Sequence, residues 1–278
     1  MEEQLSSPTG VWVRPENPCG TGALVLAGSS GRVDADRSRL LASHGASAMS
    51  IQWFGGDGQQ PGPWEVPLET FTSALDRLAA ECDRLAVVGL SFGAEAALLT
   101  AAHDARVEAV VAFAPTPVVW AGVTPDGPGG EPRQTSHWTR HGIPLPFVPF
   151  LESWEPETTP PAFRGCYEAS LAAHPTLAEA AAIPVERITG EVVLVAGEDD
   201  QVWPGADFAR SIAARRKAHG LATTVVTHPH AGHRTVLPGE SAVAAGQAMA
   251  RGGTPAADGE LGALAWPHVS KALRLTTG

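Results

Sequence analysis

The stretch "VVGLSFGAEAALL", residues 87 to 99, sets Ser91 between Gly89 and Gly93 where an apolar run gives way to a helical pattern. Glycine at both second neighbours of a serine is a weak signal by itself, because small residues also fill ordinary tight turns. The context adds to it. A sharp turn from strand to helix strains the backbone at the serine, and the flanking glycines leave room for it. The hydroxyl is then raised at the helix start, and the next backbone N–H, that of Phe92, is aimed at a substrate oxygen.

A serine hydroxyl is a poor nucleophile until an imidazole takes its proton, and the imidazole needs a carboxylate to hold its tautomer. Both residue types follow at strand ends. "VVLVAGEDD" closes one apolar run with Asp199 and Asp200, and "VVTHPHAGH" closes the next with His228, His230 and His233. The order serine, acid, histidine resembles that of α/β-hydrolases, in which the acid lies three residues after the strand-end glycine, here Gly197, and this resemblance favours Asp200 over Asp199. His233, beyond the turn at Ala231-Gly232, lies deep enough in its loop to reach back, whereas His228 and His230 are closer to the strand. A second oxyanion donor is expected in "AGSSG", with the backbone N–H of Ser29 as candidate and Ser30 beside it. The spacing H-x-H-x-x-H would also suit zinc, but Pro229 and the lack of a further ligand motif argue against a metal, and no cofactor is expected. His137 and His141 in "HWTRH" are spaced as on a helix yet lack the glutamate of a metalloprotease motif.

These residues need a scaffold. "ALVLA" (23–27) reads as a strand, followed by a helix with Asp34 as N-cap and Gly45 as stop. "ASAMSIQWF" is a second strand. Leu68, Phe71, Leu75, Leu78 and Cys82 share one helix face. Leu85 to Leu90 is the strand that delivers Ser91, "FGAEAALLTAAH" the helix after it, and "VEAVVAFA" the next strand. Alternating strands and helices imply a mostly parallel central sheet covered by helices. The stretch from Trp120 to Pro161, rich in proline, glycine and aromatics, breaks the alternation. It is expected to be an irregular lid or pocket wall, within a cap insertion of about 120–165 in a single domain spanning 1–278. Trp53, Phe54 and Trp120 are candidates to line an apolar pocket. Leu264, Trp266, Val269 and Leu273 are expected to form the packing stripe of a closing helix.

Composition excludes several classes of function. With 278 residues, 44% hydrophobic and 18% charged, the chain is of globular type, and a net charge of −11 without a basic stripe disfavours a nucleic acid partner. The polar, acidic start "MEEQLSSPTG" and the absence of a long apolar run lead to the expectation of a cytoplasmic protein with no membrane association. Cys19, Cys82 and Cys166 are odd in number, lack any paired spacing and read as buried or incidental thiols.

The chain resembles the C-terminal catalytic domain of the acyl-CoA thioesterase and bile-acid-CoA:amino-acid N-acyltransferase family, which has the α/β-hydrolase fold. The resemblance rests on "LAGSSG", "VPLETFTSALDRLA", "GLSFGAEAALL", "VEAVVAFAPTPVVW", "GIPLPFVP", "GEDDQVWP", "HPHAGH" and "GGTPAADGELGALAWPHV", which occur in order along most of the sequence. It implies acyl transfer from a thioester through an acyl-enzyme, with Ser91 as nucleophile, Asp200 as orienting acid and His233 as base. Larger members carry an N-terminal immunoglobulin-like domain, of which "GVWVRP" would be at most a remnant strand. Members that conjugate amino acids look to use cysteine at the nucleophile position, so Ser91 tilts the expectation towards hydrolysis.

The resulting expectation is a serine hydrolase of a small-molecule acyl thioester, carried by coenzyme A or a carrier protein. The alternatives are a carboxylesterase, an acyltransferase to an amine or alcohol, or a non-catalytic binding protein on the same scaffold. Arg133, Arg140 and Arg164, in or near the lid, are candidates for a basic patch facing the carrier's phosphates, and equally for solvated loop charges. Oligomeric state is not addressed by these patterns.

Overall fold

Four apolar runs, Thr21–Leu26, Arg84–Leu90, Val107–Phe113 and Glu191–Gly197, are buried along almost their whole length. Strands of that kind must be covered on both faces, as in a parallel sheet between helical layers. The computed structural model describes residues 1–125, 131–241 and 247–276 and shows this arrangement. In chain order, β1 (Glu2–Ser6), β2 (Thr9–Val13) and β3 (Thr21–Leu26) lead to α1 (Ala35–Ser43) and β4 (Ser47–Ile51). A two-residue strand, β5 (Val66–Pro67), precedes α2 (Glu69–Ala79), β6 (Arg84–Leu90), α3 (Phe92–His103) and β7 (Val107–Phe113). Next come β8 (Ala121–Thr124), β9 (Arg133–Ser136), β10 (Trp138–Arg140) and β11 (Ile143–Pro144), then α4 (Arg164–Ala173) and α5 (Pro175–Ala180). The last elements are β12 (Glu191–Gly197), α6 (Gly205–Ala218), β13 (Thr224–His228) and α7 (Pro255–Ala272).

The main sheet has the order β1-β2-β4-β3-β6-β7-β12-β13. From β4 to β13 all neighbours are parallel, while β2 runs antiparallel to both β1 and β4. The two-residue period of the strands divides the core. Leu24, Leu26, Val87 and Leu194 face one layer with α2, α3 and α6, and Ala23, Val25, Val88 and Val195 face the other with α1 and α7.

Several expected boundaries hold. Asp34 caps α1 by accepting the Arg37 N–H at 3.4 Å, and Gly45, with φ of +95°, ends the turn after that helix. Phe71, Leu75 and Leu78 form the buried face of α2, whereas Cys82 lies beyond its end. Other expectations need correction. Thr9–Val13 of "GVWVRP" is not a detached strand but pairs with β4 inside the main sheet. The segment 120–165 is not irregular throughout. β8 and β9 form a hairpin and β10 pairs with β5 and β11, although residues 126–130 lie outside the described residues. Alternation with prolines hides strands this short from any periodicity argument. In α7 the buried stripe is Ala257, Leu261, Ala265, Val269 and Ala272, continued by Leu273, while Leu264 is 53% exposed. Small residues carry that face because the helix packs closely on the sheet.

α3 is the central covering helix, with ten consecutive buried residues from Gly93 to Ala102. It reaches this depth because Gly93 lies directly on β3: a Cβ there would run into the backbone oxygens of Leu26 and Ala27. Gly89, on the last turn of the strand before it, would likewise collide with the backbone of Gly93. Gly93→Ala is therefore expected to lower stability by about 3 kcal/mol, at the upper end for overpacking. By contrast Gly259→Ala, inside α7 where an added Cβ meets nothing within 4 Å, should raise it by about 0.5–1 kcal/mol. Urea denaturation midpoints of the two variants test both signs.

Candidate active site

Ser91 stands between β6 and α3 with φ 58° and ψ −122°, a conformation that costs a non-glycine residue about 1–3 kcal/mol. A serine at a helix N-cap normally turns its hydroxyl onto the first free N–H groups of the helix. Ser91 makes no such bond. Its carbonyl instead accepts the Ala94 and Glu95 N–H groups, at 2.8 and 3.0 Å, so the turn is held while Oγ is left for other work. Gly28, at the end of β3, approaches so closely that a Cβ on it would lie 3.1 Å from that of Ser91. This brings the following residue, Ser29, beside the serine. Among the described residues the N–H groups of Phe92 and Ser29 donate to no acceptor.

Asp200 is fully buried after β12. One carboxylate oxygen accepts the N–H groups of Val202 and Trp203, at 2.8 and 3.2 Å, and the other lies 2.8 Å from His233 Nδ1. A carboxylate at that distance fixes the proton on Nδ1 and leaves Nε2 with its lone pair. Trp203 also packs edge-on to the His233 ring at 5.5 Å. Asp199 is engaged elsewhere: its carboxylate accepts the Gly253 N–H at 2.8 Å and the Gln201 side-chain amide at 2.8 Å. His228 pairs with Glu260 at 3.1 Å, and His230 is exposed.

The two loops are tied together. The His233 N–H donates to the Arg251 carbonyl at 2.9 Å, and the Gly232 N–H to Asp258 of α7 at 2.7 Å. The "GGTP" stretch owes its glycines to this junction, since a Cβ on Gly252 or Gly253 would strike the backbone of Asp199 or of Gly232. Arg164 at the start of α4 donates to the carbonyls of Glu198 and Asp200, at 3.2 and 3.3 Å.

Ser91, Phe92, Ser29 and His233 line one cavity of about 800 Å³. Its apolar wall consists of Phe92, Phe150, Leu151, Trp154, Phe163 and Tyr167, drawn largely from 150–167. Trp53 and Trp120 do not reach it. They are 1% and 0% exposed in the core, and Phe54 packs beside Trp53 over Gly31. The proposed basic patch is also displaced. Arg133 lies 3.7 Å from Glu65, Arg140 is exposed, and Arg164 is bound to the acid loop, while Arg32, Arg37, Arg234 and Arg251 line the cavity. Cys19, Cys82 and Cys166 are unbridged, and Cys166 is on the cavity wall.

One buried group, Glu95, escaped the sequence reading, and another, His137, entered it only as part of a rejected metal spacing. Glu95 is fully buried on α3, one turn past Ser91. Its Oε1 accepts the Trp120 backbone N–H at 3.1 Å and the Trp138 indole N–H at 2.7 Å, while Oε2 has no partner among the described residues. It ties Trp120 and Trp138 to the helix that follows Ser91. His137, also on the cavity wall, is 1% exposed and packs on the Phe92 ring at 4.0 Å; burial depresses its pKa to about 3 and keeps the imidazole neutral. His137 and His141 do not share a helix, because β10 lies between them and sends one inward and the other to an exposed turn. A glutamate in an otherwise apolar helix, "GAEAALL", was the available signal for Glu95.

A mostly parallel sheet with a strained serine after its fifth strand, and an acid–histidine pair after its last two, defines an α/β-hydrolase. The chain belongs to the BAAT / Acyl-CoA thioester hydrolase C-terminal family, whose profile matches residues 66–275. It is 26% identical over 219 residues to mouse acyl-coenzyme A amino acid N-acyltransferase 2, a match covering 76% of this chain and 48% of that protein. The chain thus spans about half the length of that relative. Among solved structures, a protein assigned as a dienelactone hydrolase from Klebsiella pneumoniae superposes with a TM-score of 0.54 at 13% identity, covering 99% of this chain and 97% of that one. Acylaminoacyl peptidase from Pyrococcus horikoshii superposes with a TM-score of 0.51 at 11% identity, over 79% and 34% of the two chains. At these identities the structures establish the shared fold. No helix among the described residues is long and apolar enough to cross a membrane.

Burial pushes the Glu95 carboxyl well above the usual carboxylate range, with its two N–H donors opposing. As pH rises past the ordinary glutamate pKa, the unfolded chain loses this proton while the folded chain keeps it, so stability falls with rising pH. Glu95→Gln removes that dependence. The melting temperature of the variant relative to wild type is expected to climb between about pH 4.5 and pH 8, and a difference independent of pH would show that Glu95 is not held protonated.

Proposed function

We propose that this chain is a serine-dependent acyl thioester hydrolase. The observation that carries the reading is one cavity holding a strained serine with an uncapped hydroxyl and a histidine whose Nδ1 is held by a buried carboxylate. His233 Nε2 takes the proton as Ser91 Oγ adds to the thioester carbonyl. The N–H groups of Phe92 and Ser29 hold the oxyanion. Collapse breaks the C–S bond, and His233 returns its proton to the leaving thiolate, giving an acyl-serine. Water, deprotonated by the same imidazole, then attacks the ester carbonyl, and the proton goes back to Ser91 as the acid departs. Throughout, Asp200 orients the imidazole and stabilises its charged form.

The family supports a thioester in preference to a simple ester, and the aromatic wall supports an apolar acyl chain. The segment 120–165 acts in this reading as a cap closing over that chain within a single catalytic domain. A second reading has its own support in the named activity of the mouse relative: the acyl-serine passes to an amine acceptor instead of water. The same triad serves both outcomes, so product analysis with and without amino acids separates them.

A fluorophosphonate probe is expected to label the protein at Ser91 and to leave Ser91→Ala unlabelled. His233→Ala and Asp200→Asn should each reduce kcat on acyl thioesters by about 10³-fold or more with little change in melting temperature. Asp199→Asn, whose carboxylate braces Gly253, should retain turnover within about tenfold and lose stability instead. Ester turnover with no thioester turnover in the wild type would overturn the proposal.

A further inference from the structure

Two side chains of the largely apolar cavity wall carry polar atoms that the protein itself leaves unused. His137 is 1% exposed on that wall, and its Nδ1 is buried with no hydrogen-bond partner among the described residues. Its Nε2 bonds to none of them either. Tyr167 is 7% exposed on the same wall, and its hydroxyl likewise makes no hydrogen bond to a described residue. A buried phenol or imidazole ordinarily finds a partner, because leaving it unpaired costs free energy. Two such groups on one cavity wall point to a partner that enters with the ligand.

Both lie close to the reaction centre. The His137 ring packs edge-on to that of Phe92 at 4.0 Å, and Phe92 directly follows Ser91. The Tyr167 ring packs edge-on to Trp203 at 5.2 Å, and Trp203 packs on His233 at 5.5 Å. Phe92 and Trp203 are themselves in contact, with centroids 5.4 Å apart. The part of a bound acyl group that meets these two residues is therefore the part next to its carbonyl. Burial keeps the His137 imidazole neutral and holds the Tyr167 phenol well above its usual range, so that it stays a donor. A phenol that donates and an imidazole that has one donor and one acceptor nitrogen are matched by a hydroxyl, which does both. A plain alkyl chain leaves both unpaired.

We propose that Tyr167 and His137 form a neutral hydrogen-bonding subsite that selects acyl groups carrying a hydroxyl within a few bonds of the thioester carbonyl. This rests on the acyl thioester reading and narrows it to a substrate class. The rest of the acyl chain lies against Phe150, Trp154 and Phe163, and the two polar residues act on specificity, leaving proton transfer to the triad.

The test compares kcat/KM for hexanoyl, 3-hydroxyhexanoyl and 6-hydroxyhexanoyl thioesters of one thiol. Wild type is expected to favour the 3-hydroxyacyl substrate at least about tenfold over the other two. Tyr167→Phe removes one oxygen and keeps every ring contact. It should lower kcat/KM for the 3-hydroxyacyl substrate about tenfold, leave hexanoyl within about twofold, and hold or raise the melting temperature, since an unpaired polar atom is lost from an apolar setting. His137→Leu should show the same split between substrates. Binding is read without turnover from tyrosine labelled with carbon-13 at Cζ: Tyr167 is the chain's only tyrosine, so one NMR signal is followed, and it should move with 3-hydroxyhexanoate and not with hexanoate. Equal wild-type kcat/KM for hexanoyl and 3-hydroxyhexanoyl thioesters, or a gain confined to 6-hydroxyhexanoyl, overturns the subsite. So does Tyr167→Phe if it slows both substrates alike and lowers the melting temperature, the mark of a purely structural hydroxyl. Failure of the catalytic reading is seen separately, as no Ser91 labelling and no turnover, with the NMR response to the free hydroxy acid still reporting on the subsite.

Discussion

Everything at the reaction centre depends on how closely α3 can sit on the sheet. Gly93 places its backbone against the carbonyls at the end of β3, and Gly89 lets the turn between β6 and α3 fold tightly beneath it. With Cβ atoms at these positions the helix would have to retreat. Because it does not, Ser91 is forced to a positive φ, its carbonyl takes over the capping of the first turn, and its hydroxyl is released towards the cavity. The same close approach sets Gly28 against Ser91 and so brings the Ser29 N–H beside it. Strain in one residue and two missing methyl groups thus set the geometry of the proposed nucleophile and of the N–H groups proposed as oxyanion donors together.

The proposed acid and base depend on a different device, the cross-bracing of loops. Asp200 and His233 come from separate strand ends, and a loop by itself holds neither within hydrogen-bond tolerance. Here Asp199, Arg164, Asp258 and the Arg251 carbonyl bind these loops to one another, to α4 and to α7. A glycine pair makes the junction close enough. Residues that are not themselves reactive therefore occupy the immediate neighbourhood of those that are, and Asp199, adjacent to the proposed acid, is one of them.

The cavity wall is joined to this centre through buried polar groups. Glu95 reaches from α3 to Trp120 and Trp138, and His137 packs against Phe92. Glu95, whose carboxyl burial pushes above the usual range, costs stability as pH rises, and His137, whose pKa burial depresses, costs stability as pH falls; the two hold Trp120, Trp138 and the Phe92 ring against α3. The wall is consequently coupled to α3, the helix that follows Ser91.

The sequence by itself determined the order of the central strands and helices, and it singled out Ser91, Asp200 and His233 as candidates. It could do so because those features are local. A buried parallel strand is a continuous apolar run, and the sharp turn after β6 demands glycines at fixed offsets. What only the tertiary structure decided is what meets across the chain. Trp53 and Trp120 were candidates for the pocket and lie in the core, while Phe150, Trp154 and Tyr167 line the cavity. Arg133, Arg140 and Arg164 were grouped by closeness in sequence, yet the arginines that gather at the cavity are Arg32, Arg234 and Arg251, separated by up to 219 positions. Even the "GGTP" glycines, conspicuous in the sequence, acquire their reason only where the acid and histidine loops touch. Periodicity reports which residues face inward along one element; it carries no information on which strand end or loop lies opposite, and that is set by the order in which the sheet is assembled.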